Sequence, residues 1–224
     1  MPIDIQVIDL KEMDYRQAFA IQEEIIRGCD EKIYPDTIIF QQNHPVITLG
    51  RSSDLSNLLK SEAELRNLGI DVVMVDRGGD ITYHGPGQLV ISVLIHIRDY
   101  SLGVHQYLRN LEQAVINTLH FYGVNGERVQ GKSGVWVNSE KIAATGIGVT
   151  HGITRHGIAI NIEPDLTHFS YIIPCGISEY GVTSLEKLEI SDRNVETVKK
   201  RFVDEFCKIF DTAVVAPVWK EGDK

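Results

Sequence analysis

Apolar and polar residues alternate over residues 3–8, the period-two pattern of a strand with one buried face. The period then changes. Tyr15, Ala18, Phe19, Gln22, Ile25, Ile26 and Cys29 recur at helical spacing behind Asp14, whose carboxylate suits an N-cap. Residues 37–40 and 46–49 read as two short strands joined at Asn43-His44-Pro45, and Ser61-Glu62-Ala63-Glu64 carries the capping-box signature of a short helix that stops at Gly69. Residues 70–75 and 89–95 read as core strands flanking a glycine-rich stretch. Val104, Tyr107, Leu108, Leu111, Val115 and Leu119 mark the longest helix, ended by Gly123. Strand-like runs follow at 135–137, 142–149 and 157–162, and Val195, Val198, Phe202, Phe206 and Phe210 outline a C-terminal helix. Strands and helices intermixed through hairpin-like links, without regular βαβ alternation, predict an α+β fold around a mixed or antiparallel sheet. A Rossmann arrangement is disfavoured.

No Pro/Ser-rich tract or block of like charge interrupts the 224 residues, so residues 1–224 are expected to form a single domain. The longest apolar run, 89–95, is broken by Ser92 and is far too short to span a bilayer. The opening MPIDIQVIDLKEMD carries acids where a secretory leader needs basic residues. Cys29, Cys175 and Cys207 are odd in number and widely spaced, which fits free thiols in a reducing, cytoplasmic compartment. A net charge of -9 argues against nucleic acid, which needs a basic footprint.

Candidate chemistry concentrates in three places. The first is Arg77-Gly78-Gly79-Asp80-Ile81-Thr82-Tyr83-His84-Gly85-Pro86-Gly87-Gln88, where glycines would let backbone approach a ligand closely. It reads as a substrate-binding wall or as an ordinary glycine-rich hairpin. It has neither GxGxxG nor GxxxxGK[ST] spacing, so a phosphate cradle is weakly supported. The second is a hairpin turning near residues 138–140, with Lys141 opening the returning strand. A lysine at such a shoulder is ordinarily solvated. The third is Pro174-Cys175-Gly176, where a φ-restricting proline and a side-chain-free glycine suit the exposure of a thiol. Cys207, among phenylalanines, reads as a small buried hydrophobe, and Cys29, closing the first helix, does not look reactive either. His156, in Arg155-His156-Gly157, reads first as a structural hydrogen-bonding residue. No HExxH, CxxC or GxSxG is present, so neither a catalytic metal nor a serine hydrolase is expected.

Taken together, Asn43-His44-Pro45-Val46-Ile47-Thr48-Leu49-Gly50, Arg77-Gly78-Gly79, Thr82-Tyr83-His84-Gly85-Pro86-Gly87-Gln88, Lys141-Ile142, His156-Gly157 and Pro174-Cys175-Gly176 closely resemble the octanoyltransferases of lipoate biosynthesis. The resemblance is strongest over residues 35–184. It implies a biotin/lipoate protein ligase-like fold, a mixed sheet packed by helices. It also implies transfer of octanoyl from octanoyl-acyl carrier protein to a lysine of a lipoyl domain, the first step of endogenous protein lipoylation. Acceptors would be the lipoyl domains of 2-oxoacid dehydrogenase complexes and the glycine cleavage H protein, with no ATP and no metal.

By the same resemblance Cys175 would carry the acyl group as a thioester and Lys141 would lower its pKa and move protons. Arg77, Gly78, Gly79, Asp80, Ile81, Thr82, Tyr83 and His84 would bind substrate, as would Ala144, Thr145, Gly146, Gly157, Ile158 and Ala159, with His156 in support. Family members often carry Ser-Leu-Gly where this chain has Ala144-Thr145-Gly146; Thr145 would then supply the hydroxyl. Because carrier and lipoyl domains are typically acidic, Arg51, Arg77, Lys132, Lys141 and Arg155 are expected to form a basic rim on an otherwise acidic surface.

Overall fold

The computed structural model describes residues 1–173 and 181–219. In chain order its first elements are β1 (Ile3–Met13), α1 (Tyr15–Asp30), β2 (Asp36–Asn43), β3 (Val46–Leu49), α2 (Glu62–Asn67), β4 (Asp71–Met74), β5 (Ile81–His84) and β6 (Gln88–Leu94). Then come α3 (Val104–Phe121), β7 (Val135–Val137), β8 (Glu140–Thr150), β9 (Ile153–Asn161), α4 (Val195–Phe210) and β10 (Thr212–Val215). Local signals start the helices where the sequence places them. Asp14 accepts hydrogen bonds from Arg16 N and Gln17 N at 2.8 and 3.2 Å, and Ser61 with Glu64 closes a reciprocal capping box.

Seven strands form the larger sheet, in the order β10-β1-β2-β6-β9-β8-β7. β10, β1 and β2 run parallel and the remaining pairs antiparallel, so the sheet is mixed. The smaller sheet has the order β4-β3-β5. β2 and β3, expected as a joined pair, belong to different sheets: β2 is taken by β1 and β6, and β3 by β4 and β5. Asn43-His44-Pro45 is therefore a crossing between sheets. The strand expected at 70–75 is an edge rather than a core element, with Met74 80% exposed. Its apolar run covers one flank of β3 only.

Period-two alternation sorts the larger sheet into two faces. Ile38 and Phe40 on β2, with Leu89, Ile91 and Val93 on β6, face α3 and α4, where they meet Leu111, Val115, Phe202 and Phe206. Ile39 and Leu94 point the other way, toward Ala18 and Ile25 of α1. A third cluster joins the small sheet to Leu65 of α2 and to Phe169 and Ile172.

Phe202 is fully buried and meets Phe40 edge-on at 6.3 Å. Phe202→Ala is expected to destabilise the fold by about 3–5 kcal/mol, measured as a lower urea midpoint at unchanged m-value.

Candidate active site

On its α1 face the larger sheet changes character. The register sets Val90 opposite Ala159 and Ala159 opposite Ala144; one row along, Ser92 faces Gly157 and Gly157 faces Gly146. These side chains are too small to reach the layer above. A cavity lies over them. Its opposite wall comes from Ile81, Thr82 and His84 on β5 and from Arg77 and Gly79 in the turn before it, while Tyr15 and Gln22 of α1 close one side.

Lys141 also lines this cavity, and it is not the solvated shoulder residue its hairpin position suggests. The hairpin turns at Asn138 and Ser139, both at positive φ, and Lys141, the second residue of β8, is only 7% exposed. Its ammonium sits 4.7 Å above the centre of the Trp136 ring. A Cβ added at Gly134 would stand 2.4 Å from Ala143 O and 3.5 Å from Lys141 Cε, and the φ of +105° there favours glycine. Glu112, fully buried, holds Gly134 N at 2.8 Å and pairs with Arg109 and Arg128, so an α3 carboxylate secures the loop beside Lys141.

Of the residues that flank the segment carrying Cys175, those after it bond to Lys141 and the one before it to Asn57. Residues 174–180, Cys175 among them, lie outside the described residues. On the far side Lys141 N donates to Gly181 O at 2.9 Å and Thr183 N to Lys141 O at 3.0 Å. On the near side Ile173 N donates to Asn57 O at 2.8 Å, and Asn57 donates through Nδ2 to Asp80.

Asp80 and Tyr83 do not line the cavity. Asp80 braces residues 54 and 57, and Tyr83 faces away, bonded to His168 Nδ1 at 2.8 Å and packed on Phe169. Gly78 contributes backbone, donating to Ile147 O at 2.9 Å. Arg77 is anchored through Nη2 to Thr48 O at 2.8 Å and Thr48 Oγ1 at 2.9 Å, and a Cβ on Gly146 would stand 2.9 Å from its Cδ. Gly146 is thus the residue that lets β8 pass over Arg77. Thr145 and Ile158 border the cavity as well, and Thr145 Oγ1 is buried without a partner among the described residues.

His156 sits on β9 with φ +58° and bonds through Nε2 to Asp76 Oδ1 at 2.7 Å. Burial holds its pKa below the ordinary value although Asp76 pulls upward. Asp76 also pairs with Arg155, as does Glu23. The expected basic rim therefore does not form as such. Arg77, Lys141 and Arg155 are 8%, 7% and 8% exposed, leaving Arg51 and Lys132 nearer the surface. Of the other thiols, Cys29 is buried beside Pro35 O and its pKa is pushed up to about 12, while Cys207 packs on the α3/α4 core.

A chain of buried amides was not foreseen. Asn161 Nδ2 donates to Thr183 O at 2.9 Å, Gln88 Nε2 to Asn161 Oδ1 at 2.8 Å, and Gln88 Oε1 meets His84 Nδ1 at 2.6 Å. Burial above all, with Arg77 and His156 nearby, pushes the His84 pKa down to about 4. Polar residues at inward positions of otherwise apolar strands, Gln41 on β2 and Gln88 on β6, were the available signal. Among the described residues no group of three or more His, Cys, Asp or Glu side chains is placed to hold a metal ion.

The family model for the lipoyl protein ligase A/B catalytic domain matches residues 14–207. The chain belongs to this family. Within it, an octanoyltransferase from Alkaliphilus metalliredigens is 36% identical over 215 residues, covering 96% of this chain and 99% of its own. Another from Solibacter usitatus is 41% identical over 202 residues, covering 90% and 91%. The chain is accordingly an acyltransferase of the octanoyltransferase kind, acting in protein lipoylation. A bi-partite lipoate protein ligase from Thermoplasma acidophilum matches its structure with a TM-score of 0.75 at 16% identity, over 98% of this chain and 88% of that one. A biotin protein ligase from Aquifex aeolicus matches with a TM-score of 0.53 at 14% identity, over 92% and 68%. These last two show the shared fold, the biotin/lipoate ligase architecture expected from the motifs.

His84 supplies a pH test of this octanoyltransferase site. Its folded pKa of about 4 lies below the ordinary 6.5, so between those values the unfolded chain binds the extra proton. Stability is expected to hold above pH 6.5 and to fall as pH drops toward 4, by about 3 kcal/mol from this group. Urea titrations across that window check it: His84→Asn should flatten the slope, with the share due to His156 remaining.

Proposed function

We propose that the chain transfers octanoyl from octanoyl-acyl carrier protein to the target lysine of lipoyl domains through a thioester on Cys175. The observation that carries this reading is the burial of Lys141 at the cavity, its backbone bonded to Gly181 and Thr183, the residues that follow the Cys175 segment. In the first step the Cys175 thiol gives its proton to Lys141, the thiolate attacks the carrier thioester, and the departing carrier thiolate takes the proton back. In the second, the neutral amine of the acceptor attacks the acyl-Cys175 carbonyl, its surplus proton passes to Lys141, and the Cys175 thiolate leaves. Lowering a thiol pKa from about 8.5 to about 7 needs roughly 2 kcal/mol, within reach of one nearby ammonium in a partly dry site.

Arg77, Gly79, Ile81 and Thr82 form the wall we assign to the acyl chain and thioester, and Ala144, Gly146, Gly157 and Ala159 the floor whose small side chains leave it room. Thr145 and Ile158 border that floor. Gly78, Asp80 and Tyr83 shape the wall from behind, and His156 holds Asp76 at its edge. Thioester-to-amide transfer runs downhill, so neither ATP nor a metal is required. Acceptors are the lipoyl domains of 2-oxoacid dehydrogenase complexes and the glycine cleavage H protein. Both reaction partners and the free thiols fit a cytoplasmic setting.

Incubation with octanoyl-acyl carrier protein, without ATP, should leave an octanoyl adduct on Cys175 by mass spectrometry. A Cys175→Ser protein that still modified a lipoyl domain at the normal rate would overturn the thioester. Lys141→Ala should slow both loading and transfer by about 100-fold or more; unchanged rates would remove its assigned role.

A further inference from the structure

The cavity holds a second nitrogen base whose state the fold dictates. The dictation starts at the backbone: Thr183 O is a carbonyl and can only accept, so the Asn161 atom bonded to it is the amide nitrogen. Asn161 Oδ1 is then the acceptor facing Gln88, which makes the Gln88 atom there its nitrogen and turns Gln88 Oε1 toward His84. An amide oxygen only accepts, so His84 Nδ1 carries the hydrogen. Nε2 of the neutral ring is left with a lone pair, has no hydrogen-bond partner among the described residues, and belongs to a ring that lines the same cavity as Lys141.

We infer that His84 orients the attacking amine: its Nε2 accepts one N–H of the acceptor lysine while that amine adds to the acyl thioester, and Gln88 and Asn161 are positioning residues that hold the imidazole in this tautomer. The inference rests on the Cys175 reading above. The amine keeps the hydrogen it shares with His84 through the addition; the proton it loses goes to Lys141, and the C–S bond to Cys175 breaks as the C–N bond forms. His84 is suited to accept without being protonated. Burial, the Arg77 guanidinium and His156 all disfavour an imidazolium, Tyr15 stacks on the ring at 6.4 Å, and Gln88 is uncharged. A histidine of ordinary pKa would be partly protonated near pH 6.5 and would repel the Lys141 ammonium instead.

The test separates the two half-reactions. Single-turnover loading of the enzyme from octanoyl-acyl carrier protein is timed first, and transfer from the octanoyl-enzyme to a lipoyl domain second. His84→Asn keeps a donor toward Gln88 and removes Nε2, so transfer should slow at least tenfold more than loading. Equal slowing of both steps, or none, would overturn the inference, while a wild-type enzyme that never forms an octanoyl-Cys175 adduct would instead overturn the reading beneath it. Nitrogen NMR of the full-length enzyme should show His84 protonated at Nδ1 and bare at Nε2 through neutral pH; the opposite tautomer refutes the proposal without any assay. Gln88→Glu places a carboxylate against Nδ1 and favours the imidazolium, so the transfer step should acquire an acid limb in its pH profile that the wild type lacks. A profile identical to the wild type's would count against the relay.

Discussion

A sheet face that carries glycine and alanine where close packing calls for larger side chains is the constraint on which this molecule turns. Side chains on successive residues of a strand alternate faces, and cross-strand register lines residues up in rows. Two rows on the α1 face pair Ala144 with Ala159 and Gly146 with Gly157. The opposite face of the same strands carries Ile142, Ala143, Ile158 and Ile160 in the main core. One face therefore anchors α3 and α4 while the other leaves space, and the small sheet with its Arg77 turn closes over that space. Interiors pack densely enough that such a gap persists only where its walls are held independently. Here α1, the small sheet and the larger sheet each have their own apolar cluster.

The polar groups around the gap are held in place by neighbouring residues. Trp136 supports the Lys141 ammonium, Thr48 fixes Arg77, and Gln88 fixes His84. Burial of several polar side chains is tolerable because their spare donors and acceptors are mostly used on one another or on backbone. The amide chain from Thr183 to His84 ties the residues after the Cys175 segment to β6 and β9 and thus to the wall of the cavity. Lys141, assigned to both halves of the reaction, and His84 share one hydrogen-bonded frame.

Charge is handled differently from what composition suggests. A net charge of -9 with five cations near the motifs invited a picture of a basic surface rim. Arg155 instead spends its charge on Asp76 and Glu23, and Arg77 spends its donors on Thr48 and Gly78. Two arginines thus act as internal struts. They hold β5's approach and β9 in place, and Arg51 and Lys132 stand nearer the surface.

Much of this was legible in the residues themselves. Asp14, Ser61 with Glu64, and Gly123 mark helix ends because capping is settled within a few residues, and period-two runs mark strands because the pleat alternates side chains regardless of partner. Order along the chain, however, does not say which strands pair. Residues 37–40 and 46–49 look like neighbours and lie in different sheets, and 70–75 looks like core and is an edge, since pairing depends on long-range competition for hydrogen bonds. The motif glycines signalled a site, and resemblance linked Cys175 to Lys141. Only the tertiary structure decided that Lys141 is buried against Trp136, that Asp80 and Tyr83 face away from the cavity their neighbours line, and that Gln88 and Asn161 pass a backbone carbonyl's demand to His84. Those facts rest on contacts between residues distant in the chain, such as Asn161 with Thr183 and Gln88 with Asn161, and no local pattern encodes them.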